Sequence, residues 1–183
     1  MGELKNKEEE NIKGLDSLNG YIDQAEEIFE KGRQKLEAAK SRRAELTAEL
    51  NKMESSSDDD DSDADYYNSL RAELSNVEAQ IASYESMMET LKTRVDGAFN
   101  SIEPIQSFFW HLEQGESTAG SDINRLWKFR GNADKGISYT NQRQNFAAQK
   151  QQECVALKQR IQSLRAKINA LISGGKGERE REL

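Results

Sequence analysis

Few residues of this 183-residue chain have the type and spacing to do chemistry, and each can be held against what a reaction needs. His111 is the only histidine. Ser-His-Asp or Cys-His catalysis would have to use it as its one base. Its neighbours Trp110 and Leu112 place it instead on a helix beside aromatic side chains. Cys154 is the only cysteine, which excludes an intrachain disulfide and a thiolate-clustered zinc site. It falls at an apolar heptad position, where a small buried hydrophobe is expected rather than a nucleophile.

Asp61, Asp63 and Asp65 have the spacing of the first three ligands of a calcium loop. The sixth position would be Tyr66, where the turn needs glycine, and the twelfth Ala72, where the ion needs Glu. Starting at Asp59 puts Ala64 and Leu70 at those places, so Asp58 to Asp65 reads as a solvated acidic linker. Gly174-Gly175-Lys176-Gly177 lacks both the first P-loop glycine and the hydroxyl after lysine. No Glu-x-x-His pair exists to build a di-iron bundle. The expectation is no enzyme, no resident metal and no cofactor.

The chemistry that remains is recognition. Phe99, Phe108, Phe109, Trp110, Trp127 and Phe129 gather six of the eight Phe and Trp residues into one stretch. Gly115, Gly120, Gly131 and Gly136 divide that stretch into two short helical pieces, roughly 104–114 and 121–130, with Ser121 or Asp122 capping the second. Such a cluster either closes the end of a bundle or presents a patch to a partner, because Trp and Phe are favoured interface anchors. The candidate partner-binding residues are Phe108, Phe109, Trp110, Trp127 and Phe129. Lys128 and Arg130 beside Phe129 would suit base stacking with a phosphate contact, a pattern of three residues only.

Long helices must carry this stretch. From Leu15, the a/d positions read Leu15, Leu18, Ile22, Ala25, Phe29, Gly32, Leu36, Ala39, Arg43, Leu46, Leu50 and Met53, interrupted in type only at Gly32 and Arg43. A second run, Tyr67, Leu70, Leu74, Val77, Ile81, Tyr84, Met88, Leu91, Val95, Ala98 and Ile102, has no charged member. A third is regular from Cys154 through Leu157, Ile161, Leu164 and Ile168 to Leu171, and frays upstream where Arg143 and Lys150 fall on the seam. Three seams at this spacing predict helix packing. The helices are expected near 11–55, 65–103 and 138–173, each roughly 55–65 Å long at 1.5 Å per residue.

Pro104 is expected to end the second helix or open a short one, and Gly174-Gly175 to stop the third, leaving 174–183 as a flexible tail. Short connectors favour antiparallel neighbours. The fold class is therefore all-α: an elongated antiparallel three-helix bundle or coiled coil over 1–173, with residues 104–137 as an aromatic insert at one end. Folding about residue 60 pairs Gly32 with Met88 and places Arg43 near Glu73 or Glu78. Folding about residue 120 pairs the second and third helices and brings Cys154 into the layer of Met88. Gly32 then either makes room for Met87 or Met88 or merely breaks its helix. Gly14, Gly20 and Gly97 fall where the aromatics would dock.

Charge fits the same plan. The net charge is −7, yet residues 138–173 hold six bases against Glu153 alone, while the first two helices are acidic. A basic third helix complements acidic neighbours within a bundle. It also supplies the alternative reading, nucleic-acid binding, against which the acidic neighbours would repel phosphate. With 35% hydrophobic and 32% charged residues and one proline, the chain cannot fill a deep multilayer core and does not resemble an all-β protein. No apolar run reaches the length of a membrane span. The charged start MGELKNKEEEN is unlike a signal peptide, which predicts a cytoplasmic location with leaderless secretion left open. The expected function is a helical protein–protein interaction module: a scaffold, adaptor, or component of an assembly or secretion system. Its partner is another protein, or a second copy of the chain, since heptads serve a homo-oligomer equally well.

Overall fold

A computed structural model of the chain describes residues 2–55, 61–115 and 133–182. Three helices account for nearly all of them: α1 (Gly2–Ser55), α2 (Asp61–Glu113) and α3 (Ala133–Glu182). There is no strand among the described residues, and the all-α three-helix bundle expected from the heptads is the fold. The chain groups into two compact units, Met1–Gln24 with Arg94–Arg165, and Ala25–Thr93 with Ala166–Leu183.

In the second unit α2 runs antiparallel to α1. Arg42 Nε donates to Glu73 Oε1 at 2.8 Å, the Tyr66 hydroxyl to Glu49 at 3.3 Å and the Tyr67 hydroxyl to Glu54 at 2.9 Å. The apolar core there joins Leu36, Ala39, Leu46 and Leu50 of α1 to Leu70, Val77 and Ile81 of α2, with Leu171 of α3 packed against it. Met88 is fully buried. A Cβ added at Gly32 would lie 2.3 Å from its terminal methyl, so Gly32 does make room for Met88, while Met87 is 51% exposed. Across the seam, Glu73 is held by Arg42. Arg42 also holds Glu45 one turn on, and its guanidinium draws the Glu73 carboxyl below the usual range.

In the first unit α2 is antiparallel to α3, and α1 is parallel to α3. Glu103 meets Lys158 and Asp96 meets Arg165, while Glu8 pairs with Arg143 and Asp23 with Arg160. These pairs correct the expected α2–α3 register. A fold about residue 120 would set Glu103 opposite residue 137, about twenty residues before its actual partner. Cys154 accordingly belongs with the part of α2 near Phe109 and not with Met88. The difference is about three heptads, an offset that still sets apolar seam against apolar seam, so the repeat by itself does not fix this register.

Proline inside a helix forfeits one backbone hydrogen bond and costs about 3 kcal/mol relative to alanine. Pro104 is exposed, but the heptad continues past it through Ile105, Phe109 and Leu112, all buried. Burying such side chains is worth about 1.5–3 kcal/mol each, enough to carry the helix through. The actual stop is Gly115, with φ of 70°, where its N–H donates to Leu112 O and that of Gln114 to Trp110 O. That is a left-handed glycine just beyond a helix terminus. The separate piece expected at 104–114 is thus the end of α2.

Two further boundaries differ from expectation. α1 begins at Gly2 instead of near residue 11, with Glu3 in its first turn favouring the N-terminal dipole and Glu8 tied to Arg143. The backbone of α3 stays helical through Gly174-Gly175 to Glu182. Two glycines cost about 1 kcal/mol each there, a penalty that does not by itself break an established helix.

Candidate partner-binding site

The last turns of α2 carry Phe108, Phe109 and Trp110 in succession, and the 100° step of the helix sends each to a different environment. Phe109 lies on the seam and is fully buried. Its ring meets Phe108 edge-on at 5.2 Å between centroids and Phe146 of α3 at 6.1 Å, at interplanar angles of 80° and 77°. Both are favourable aromatic geometries. Phe108 and Phe146 are half-buried, and Lys150 sits 5.6 Å from the Phe146 centroid while paired with Glu153. Trp110 points away from this packing, 46% exposed, with its ring set edge-on to the His111 imidazole at 5.0 Å.

Gln151 of α3 fixes the end of α2 from the side. Its side-chain amide donates to the Phe109 carbonyl at 3.2 Å and to the Glu113 carboxylate. Phe109 below, Gln151 at the side and Gly115 at the terminus thus fix the backbone that carries the Trp110 indole. Such pre-organisation lowers the ordering cost of an encounter. Trp127 and Phe129, the other two candidates, lie outside the described residues, as do Lys128, Arg130 and the expected helix at 121–130. Phe109 supports the patch from beneath and has no surface of its own to offer.

A Cβ at Gly14 would come 3.2 Å from Ile105 Cδ1, an aliphatic contact, and at Gly20 and Gly97 it would meet nothing within 4 Å among the described residues. Phe99 of α2 is half-buried and faces α3. Lys158 and Arg165, one heptad apart on α3, lie 5.6 and 5.7 Å from its centroid while pairing with Glu103 and Asp96. One ring thus takes two cation–π contacts between two ion pairs. The signal was present in the sequence as acids at 96 and 103 and bases at 158 and 165, but reading it needed the register.

These pairs account for five of the six bases at 138–173, all but Lys167. Arg143 and Arg160 go to α1, Lys158 and Arg165 to α2, and Lys150 to Glu153 of its own helix. The complementarity expected between a basic α3 and acidic neighbours is therefore realised within the first unit. Among the described residues no group of three or more His, Cys, Asp or Glu is placed to hold a metal ion, and no helix is long and apolar enough to cross a membrane. Cys154 is buried, and that burial pushes its thiol above the ordinary range. Comparison with known proteins finds no match among protein families, curated sequences or solved structures.

Proposed function

We propose that this protein is a non-enzymatic helical interaction module, a scaffold, adaptor or assembly component, that engages a protein partner through the aromatic patch at the end of α2. One observation carries the reading: Trp110 leaves 46% of its surface exposed on a helix end held by Phe109, Gln151 and Gly115. A large apolar side chain held rigidly in water is a favoured anchor for association. Phe108, half-buried against Phe109, belongs to the same helix end, and Trp127 and Phe129 extend the aromatic stretch by sequence. Binding nucleic acid, the alternative, would require cations available to phosphate. Lys158, Arg160 and Arg165 instead neutralise carboxylates of α1 and α2.

The test is affinity capture from cell extract with the wild type and with Trp110→Ala combined with Trp127→Ala, alongside circular dichroism of both. Partners lost from the variant with helicity retained support the reading. Equal recovery of every partner, or loss of helicity on truncation, returns the aromatics to a structural role. A photo-crosslinking side chain in place of Trp110 separates the two protein occupants, since a second copy gives a product of twice the chain mass.

A further inference from the structure

We draw no further inference here: the strongest candidate, the exposed stripe of small uncharged residues along the outer face of α2 (Asn68, Ala72, Ser75, Ala79, Ala82 and Ser86), has the spacing of a second helix-packing seam, but nothing in the structure shows what covers it.

Discussion

The substitution Gly32→Ala sets two effects of known size against each other. Alanine is favoured over glycine inside a helix by about 1 kcal/mol, so at an open site the change would stabilise. Here the new methyl would sit 2.3 Å from Met88 Cε and 3.5 Å from its Sδ. The Met88 methyl must therefore swing aside. It is the flexible end of a long side chain, but it is fully buried, and forcing a methyl into a filled core costs about 1–3 kcal/mol. The net expectation for Gly32→Ala is between no change and a loss of about 2 kcal/mol.

Shortening the neighbour reverses the sign. Met88→Ala alone should cost about 2–5 kcal/mol through the cavity it leaves. In that background Gly32→Ala should stabilise by about 1 kcal/mol, because the propensity gain remains and the clash is gone. The coupling energy of the double-mutant cycle is thus about 1–3 kcal/mol, readable from urea unfolding followed by far-UV circular dichroism. Equal stabilisation by Gly32→Ala in both backgrounds would refute the argument, since it would mean that Met88 does not lie over Gly32.

Three other outcomes follow from the same geometry. Phe109→Ala, which empties a fully buried aromatic site, should cost about 3–5 kcal/mol, whereas Trp110→Ala should cost about 1 kcal/mol or less; thermal melting of both variants compares them, and equal losses would contradict the burial contrast. Pro104→Ala restores a backbone donor inside α2 and should raise stability by up to about 3 kcal/mol, so a lowered urea midpoint would show that proline is needed there. Because burial pushes the Cys154 thiol up from its ordinary value near 9.0, the unfolded chain releases that proton first. Stability contributed by the neutral thiol is then complete below about pH 8 and declines as pH rises past about 9. Cys154→Ala should flatten that decline in urea midpoints, and an unchanged slope would remove Cys154 as its source.

Heptad spacing made α1 and α2 legible because the 3-4 spacing of each seam is unbroken, with only Gly32 and Arg43 departing in type. Leu15, Ile22, Phe29, Leu36 and Leu46, and likewise Leu70, Val77, Ile81, Met88 and Val95, are buried as the pattern requires. Gly32 with Met88 followed from the same arithmetic. What the pattern could not settle was where α2 ends, because the local preference of Pro104 opposes the packing of Ile105, Phe109 and Leu112, and packing is the larger effect. The α2–α3 register, and with it the partners of Phe99 and the basic residues, was not legible either, because seams that repeat every seven residues accept several offsets. Local rules likewise overrated Gly174-Gly175, whose cost is modest next to a helix already propagating. Within the candidate site, the aromatic cluster was visible as composition, but the division of labour between buried Phe109 and exposed Trp110 depends on helical phase at the end of α2. That phase is set by the continuation of the seam past the proline.

The clamp around Phe99 has a vernier-like property. Its cations, Lys158 and Arg165, are seven residues apart, and so are its carboxylates, Asp96 and Glu103. If α3 slid by one heptad so that Arg165 met Glu103, Lys158 would face Trp110 and one of the two attractions would survive the misalignment. Long-range charge therefore leaves neighbouring heptad settings partly satisfied while favouring the observed one, where Glu8–Arg143 and Asp23–Arg160 also form. The amide of Gln151 adds a neutral, directional contact to that preference, reaching the Phe109 carbonyl and the Glu113 carboxylate together.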